Sequence, residues 1–270
     1  VKGRAVPTEL SPHNPRIEAV RDLRTPRGRR AGGHFTAEGP TLLEEAERSG
    51  MRPREIFATQ AGLGRFDPGR FETDGTAVYV LPDRVFARLS DLETPTGILA
   101  VFDLPDGTVA GVLARSGPVL LLAGVSDPGN AGTLVRSAEA FGAAGVLFGR
   151  GGADPFAPKV VRAAMGSLFR LPVAVVEPDE LLAAAAAAGR LVVAADVDGE
   201  DLSAVGIPPN AVLAVGNERR GVRDWLPRWD RAVRIPQRAA AESLNAAVAG
   251  SIVLYEAARC QESCQVAEKP

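Results

Sequence analysis

The sequence predicts a doubly wound α/β domain with a parallel sheet over residues 117–270, preceded by a smaller unit of mixed helices and strands over residues 1–104. Three observations carry this expectation. Beyond Ser116 the pattern alternates strictly between apolar strands and helices. The strands "PVLLLAGV", "GVLFGR", "LPVAVVE" and "AVLAVGN" are continuous apolar runs, as expected of a parallel sheet buried on both faces. Between the two parts, residues 105–116 are rich in Pro and Gly and read as a linker.

In the first part, "NPRIEAVRDLRT" places Ile17, Val20 and Leu23 at helical spacing with arginines on the opposite face. "EGPTLLEEAERSG" reads as a helix closed by Gly50 at its C-cap. "REIFAT" and "TAVYVL" read as short strands, "DRVFARLSDL" as a helix and "GILAVFDLP" as the closing strand. In the second part the strand from Pro118 is followed by a helix over 131–141, then "GVLFGR", a helix over 159–167, "LPVAVVE", a helix over 179–188, "RLVVAADV" and "AVLAVGN". A helix from Gly221, the strand "RAVRIP" and a last helix over 243–260 complete the pattern.

Composition removes several classes of function. Hydrophobic residues make up 46% and charged residues 24%, the balance of an ordinary soluble globular chain. Net charge is −2, so there is no global attraction to nucleic acid, but residues 1–34 hold eight basic residues against three acidic ones. Only Lys2, Lys159 and Lys269 are lysine among 31 basic residues, a bias that suits phosphate recognition and a GC-rich genome equally. Cys260 and Cys264 lack further zinc ligands and make no disulfide framework, so they read as reduced thiols. No stretch has the length of a membrane span and no signal-peptide core is seen; the expectation is a cytoplasmic protein without membrane or metal partners.

Ligands of open parallel sheets sit beyond the carboxyl ends of the strands. Three polar loops lie there: Asp127 to Arg136, Ala214 to Val222, and Ile235 to Gly250. They contain no P-loop and no dinucleotide-binding glycine turn. His13 and His34 both lie in the first part, so Ser243 has no candidate base in its own domain and a Ser-His-Asp hydrolase is hard to build. Asn130, Arg136, Glu218, Ser243 and Asn245 remain. Singly, each has a structural reading. Asn130 closes a turn or caps a helix, Arg136 pairs with a carboxylate such as Glu139, Glu218 caps a helix near Gly221, and Ser243 caps a helix starting at Leu244. Together, on one edge of a parallel sheet, they point to a site.

"DPGNAGTLVRSAEAFGA", "AVGNERRGV" and "IPQRAAAESLNAAVAGSI" resemble, in order and separation, the three signature motifs of the SpoU/TrmH family of RNA 2′-O-ribose methyltransferases in the SPOUT superfamily, over about Val119 to Arg259. "SPHNPRIEAVRDL…FTAEGPTLLEEA" is similar to the L30e-like substrate-binding domain often fused in front. The resemblance implies a deep trefoil knot in the parallel-sheet domain, S-adenosyl-L-methionine as methyl donor, and a homodimer with sites near the subunit interface. It implies that Arg136 is catalytic, with Asn130, Glu218, Ser243 and Asn245. Gly216, Asn217, Ile235, Gln237, Leu244 and Asn245 would hold the cofactor. Arg16, Arg24, Arg27, Arg29, Arg30 and Arg162 would meet RNA. Ile252, Val253, Tyr255, Trp225 and Trp229 are candidates for the dimer contact.

In the third motif the family usually reads I-P-M-x-G, whereas this chain has Gln237 and Ala239; alanine disfavours positive φ where glycine permits it. The L30e-like front part favours 23S ribosomal RNA as substrate. A transfer-RNA methyltransferase is the runner-up, and a non-catalytic RNA-binding or ribosome-assembly factor is the third reading. Some ribosomal members confer antibiotic resistance on producing bacteria, a role open to this chain. Two readings of Arg136 stand: it loses its proton in an unusual site and activates the hydroxyl, or it acts as a cation that stabilises the developing 2′-alkoxide; the second is favoured because arginine stays protonated.

Overall fold

The structure is a computed structural model that describes residues 8–71, 75–217, 219–238 and 243–267, with the side chains of the last helix described as far as Cys260. In chain order the elements are β1 (Thr8–Glu9), α1 (Pro15–Asp22), α2 (Pro26–Gly32), β2 (His34–Glu38), α3 (Pro40–Arg48), β3 (Glu55–Ala58) and α4 (Gln60–Leu63). Next come β4 (Ala77–Val80), α5 (Asp83–Phe86), β5 (Ile98–Asp103), α6 (Val109–Leu113), β6 (Val119–Ala123), α7 (Pro128–Ala140) and β7 (Gly145–Gly149). The remainder are α8 (Pro158–Ala163), β8 (Val173–Val176), α9 (Pro178–Ala187), β9 (Val192–Asp201), β10 (Val212–Gly216), β11 (Arg231–Arg234) and α10 (Ala246–Ala267). They form two compact units: Val1–Asp106 with Phe156–Phe169, and Gly107–Pro155 with Arg170–Pro270.

The first unit is a mixed sheet in the order β1-β4-β3-β5-β2. Alternation along the strands divides its core. Phe57, Leu99 and Val101 face Ile17, Val20 and Leu23 of the α1 region and Val85 and Phe86 of α5. On β2 and β5, Phe35 and Phe102 stack at 5.5 Å, and Phe35 meets Phe156 at 4.9 Å. Phe169 lies 5.4 Å from Phe102, so residues distant in sequence complete this aromatic cluster. Asn14 starts α1 by accepting from the Arg16 amide at 3.0 Å, and Thr25 starts α2 by accepting from the Gly28 amide at 3.0 Å. α8 stops at Ala163, short of the expected 167, because Met165 and Gly166 adopt left-handed φ of 48° and 91°.

The second unit is an all-parallel sheet in the order β11-β9-β10-β6-β7-β8. Its strands carry a continuous core that includes Val119, Leu121, Leu147, Val176, Val212 and Ala214. The α/β architecture, with a parallel C-terminal sheet typical of the knotted SPOUT fold and a small mixed α/β unit before it, agrees with the expected class.

Three local expectations change. Part of the predicted linker is α6, started by Thr108 accepting from the Gly111 amide at 3.0 Å and anchored by buried Val109, Val112 and Leu113. No helix starts at Gly221; residues 219–225 form turns around a single bridge at Gly221, and Trp225 lies over the ends of β6 and β7 while its Nε1 donates to the Arg150 carbonyl at 2.9 Å. A Cβ on Gly149 would lie 2.6 Å from the Trp225 ring, so the indole takes space that only glycine leaves. The last helix begins at Ala246 rather than Ser243. Among the described residues no helix is long and apolar enough to cross a membrane.

Arg190 is a buried cation held by backbone carbonyls. Its guanidinium donates to Leu113 at 2.7 Å, Gly117 at 2.8 Å, Asn210 at 2.8 Å, and Arg115. Burial lowers its pKa from the ordinary arginine value. The planar fork satisfies the end of α6, the entry to β6 and the turn before β10 together; a lysine could not present donors in that geometry. Replacing Arg190 with Met is expected to lower the unfolding free energy by about 2–4 kcal/mol, because buried carbonyls lose their donors. Arg190→Lys should recover less than half of that loss in urea unfolding; full recovery would show that charge, not the fork, is what matters.

Candidate active site

The ladder between β11 and β9 shifts register abruptly. Ala232 pairs with Ala194, but the next residue, Val233, pairs with Glu200. Residues 195–199 of β9 therefore bulge out of the ladder with β11, and a Cβ on Gly199 would meet the Ala232 backbone at 2.6 Å, so glycine permits the close crossing. Ala195, Asp196, Val197 and Asp198 form one wall of a cleft of about 650 Å³ at the carboxyl ends of β9, β10 and β11. Gly216, Asn217, Ile235, Gln237, Ser243 and Leu244, all singled out in the sequence, line the same cleft.

The β10 loop is held by its own polar groups. The Gly221 amide donates to the Asn217 carbonyl at 2.8 Å, and the Arg219 amide donates to Asn217 Oδ1 at 3.0 Å. Gly221 takes the left-handed φ of 65° that this turn requires. Glu218, Ala239 and Glu242 lie outside the described residues.

Asn130 and Asn245 come together although 115 positions separate them. Asn245 Oδ1 accepts from the Ala247 and Val248 amides at 2.9 and 3.3 Å, which makes Asn245, not Ser243, the cap of α10. That use of the oxygen turns Nδ2 toward α7, where it donates to Asn130 Oδ1 at 3.0 Å. Asp127, not Asn130, caps α7, with Oδ1 accepting from the Asn130 amide at 2.7 Å. The Ser137 and Ser251 hydroxyls, 2.7 Å apart, continue the α7–α10 seam.

Arg136 is exposed on α7 and makes no ion pair among the described residues; Glu139, its suggested partner, is engaged by Arg170, whose Nη2 lies 3.0 Å from Glu139 Oε2. Arg136 does not line the cleft. Electrostatics across the cleft are set by paired arginines. Arg223 lies 3.3 Å from the largely buried Asp196, 3.7 Å from Asp198, and 5.0 Å over the Trp229 ring. Hydrogen bonds from the Ser203 hydroxyl and amide, with the charge of Arg234, hold Asp201 below the usual carboxylate range. Asp196, Asp198 and Arg223 went unnoticed in the sequence because they lie outside the three motifs, and Arg219 and Arg238 because nothing local distinguishes them from the other residues of the second and third motifs. Among the described residues no group of His, Cys, Asp and Glu could hold a metal ion.

The arginines expected to meet RNA divide. Arg24, Arg27 and Arg30 are exposed and without a carboxylate partner among the described residues. Arg29, by contrast, is 2% exposed and donates to the Leu23 carbonyl at 2.8 Å, so it braces the α1–α2 corner. Arg16 pairs with Glu55 and lies over the Tyr79 ring. Arg162 is clamped on Asp91 at 2.5 and 3.0 Å within the first unit. Of the residues proposed for a subunit contact, Val253 is buried, and Trp225 and Trp229 pack on the second core. Ile252 and Tyr255 are exposed on α10, in a stripe that also includes Val248, which the sequence reading did not name.

Asn245→Ala removes both the cap and the bridge and is expected to cost about 1–2 kcal/mol in urea unfolding. Asn245→Ser keeps a capping oxygen but falls short of Asn130, and should lose roughly half as much. Equal losses would mean that the cap contributes nothing.

A sequence model described as the SpoU rRNA Methylase family matches residues 117–255, and one described as the MRM3-like substrate binding domain matches residues 14–100. The chain is 34% identical over 247 residues to the 23S rRNA (guanosine(2553)-2′-O)-methyltransferase RlmP of Bacillus subtilis, covering 91% of this chain and 96% of that protein. It is 31% identical over 273 residues to a 23S rRNA (uridine(2479)-2′-O)-methyltransferase of Streptomyces viridochromogenes, covering 97% and 95%. Among solved structures, the SpoU methyltransferase AviRb of Streptomyces viridochromogenes in complex with the cofactor AdoMet superposes with a TM-score of 0.81 at 30% identity, over 93% of this chain and 99% of that one. An AdoMet-bound rRNA methyltransferase from Sinorhizobium meliloti gives 0.82 at 29% identity, over 93% and 97%. The loops that converge at the strand ends are thus those of a known group, and the chain belongs to the SpoU rRNA methylase family.

Proposed function

We propose that this chain methylates a ribose 2′-hydroxyl in 23S ribosomal RNA. The broader activity follows from family membership: it is an S-adenosylmethionine-dependent RNA 2′-O-ribose methyltransferase of the SPOUT superfamily. The observation that carries the reading is the convergence of the loops after β6, β10 and β11, joined by the Asn245–Asn130 hydrogen bond. The choice of 23S RNA is supported by two relatives matched over nearly their whole length, both named for 23S rRNA, and by a front unit matched as substrate binding. Those two relatives modify different nucleotides, so the modified position is left unassigned.

The cleft's apolar wall of Val215, Val233, Ile235 and Leu244 suits an adenine ring, and its volume lies in the range of small-molecule sites. Gly216, Asn217, Ile235, Gln237, Leu244 and Asn245 would hold the cofactor, which supplies an electrophilic sulfonium methyl. What the protein adds is orientation of the hydroxyl and stabilisation of the charge left as its proton departs. Arg136, an exposed cation, fits the second task. Asn130 and Asn245 fix the two helix starts against each other, and Ser243 stands at the cleft to orient ribose or phosphate. The stripe of Val248, Ile252 and Tyr255 beside Asn130 and Asn245 is where a second copy would cover the site.

The test is transfer of labelled methyl from S-adenosylmethionine to unmodified 23S, 16S and bulk transfer RNA. Label in 23S RNA, falling about 100-fold or more in Arg136→Ala, is the expected outcome. Label confined to transfer RNA would move the substrate assignment. Absence of both label and cofactor binding would remove the enzyme reading.

A further inference from the structure

Among the described residues, five arginines line the cleft at the carboxyl ends of β9, β10 and β11, against two aspartates. Their engagements differ. Arg223 is held by Asp196 and Asp198, Arg234 lies 3.7 Å from Asp201, and Arg220 lies 3.4 Å from Asp224. Arg219 and Arg238, both exposed, have no carboxylate partner among the described residues. Arg219 stands in the turn held by Asn217 and Gly221. Arg238 follows Gln237, on the other loop that lines the cleft.

Two guanidiniums with no carboxylate partner among the described residues are poorly explained by the cofactor. S-adenosylmethionine carries a sulfonium and an ammonium against one carboxylate and is a net cation near neutral pH. A cleft built only for it would lean acidic. The other reactant has the opposite charge. The ribose 2′-carbon is bonded to the 3′-carbon that bears the phosphodiester, so a methyl acceptor in RNA brings a phosphate within a few bonds of the reacting oxygen. Guanidinium matches phosphate in both charge and planar donor geometry.

Resting on the methyltransferase reading above, we infer that Arg219 and Arg238 form a phosphodiester-binding subsite that seats the target nucleotide's backbone over the cleft. They are positioning residues: they fix the acceptor strand, while base recognition lies elsewhere. Paired Arg220, Arg223 and Arg234 shape the cleft wall, and the pair at its rim receives the polyanion.

The experiment compares wild type, Arg219→Gln, Arg238→Gln and the double variant in two assays. The first is filter binding of an unmodified 23S RNA transcript across a salt series. The second is the binding of S-adenosylmethionine alone. Each single variant is expected to weaken RNA binding about three- to tenfold, and to lower the slope of log affinity against log salt by about one. Cofactor affinity should be unchanged. Arg238→Lys, which keeps the charge, should recover the salt slope and only part of the affinity. RNA binding and slope equal to wild type in the double variant would overturn the inference. Weakened cofactor binding with unchanged RNA binding would overturn it as well and assign the pair to the cofactor carboxylate. Methyl transfer by the wild type is measured separately, so failure of 23S RNA as a substrate is distinguishable from failure of the arginine subsite.

Discussion

Strand β10 is hydrogen-bonded on one side to β6 and on the other to β9, and its last residue, Gly216, stands level with Ala123 at the end of β6. That placement determines where the polar loops start. The loop after β6 and the loop after β10 leave the sheet side by side, close enough for Asn217 Nδ2 and Ser126 Oγ to lie 3.5 Å apart. β11 then adds outside β9, and the register jump at Val233 pushes residues 195–199 out to wall the cleft. A parallel sheet in which a late strand is laid between two earlier ones brings distant loops to one edge, the general location of ligands in such sheets.

The abundance of arginine resolves into two populations. Many form ion pairs: Arg88 with Glu18 at 2.5 Å, Arg162 with Asp91 at 2.5 Å, Arg54 with Asp103 at 3.2 Å. Exposed pairs such as Arg88–Glu18 and Arg54–Asp103 contribute only about 0–1 kcal/mol each, so they explain composition better than stability. Others, including Arg24, Arg27, Arg30, Arg136, Arg219 and Arg238, have no carboxylate partner among the described residues. Net charge near zero is therefore compatible with local anion recognition, because neutralisation is spatially uneven.

The parallel sheet was legible because every strand from β6 to β10 opens as an apolar run, buried except for Val175 on the edge strand β8, and apolar runs need no tertiary knowledge to see. β2 was missed for the opposite reason. Its sequence, His34–Glu38, includes Thr36 and Glu38, polar residues that read as loop, yet both are buried. The Glu38 carboxylate is satisfied by the Ser90 hydroxyl at 2.7 and 2.9 Å and the Thr96 amide at 3.0 Å, partners more than fifty residues away. The motif residues were visible as types but not as bonds. Nothing local indicates that Asn245 caps α10 and bridges to Asn130, since the acceptor lies on another helix. Arg29 was misassigned because, in a run of basic residues, sequence does not reveal which guanidinium turns inward.

The aromatic cluster of the first unit has a consequence for how this protein could be divided. Phe35 and Phe102 lie within the first 106 residues, but the rings that cover them, Phe156 and Phe169, are encoded beyond β7. A gene fragment ending near Asp106 would carry every strand of the first sheet and still lack part of its lid, leaving two large aromatic rings open to water. Recombination between relatives at that point would separate the two halves of one hydrophobic contact. The unit is a cassette only when inherited together with residues 156–169, so exchange of the front part among homologues carries a penalty that a division of the sequence into consecutive domains conceals.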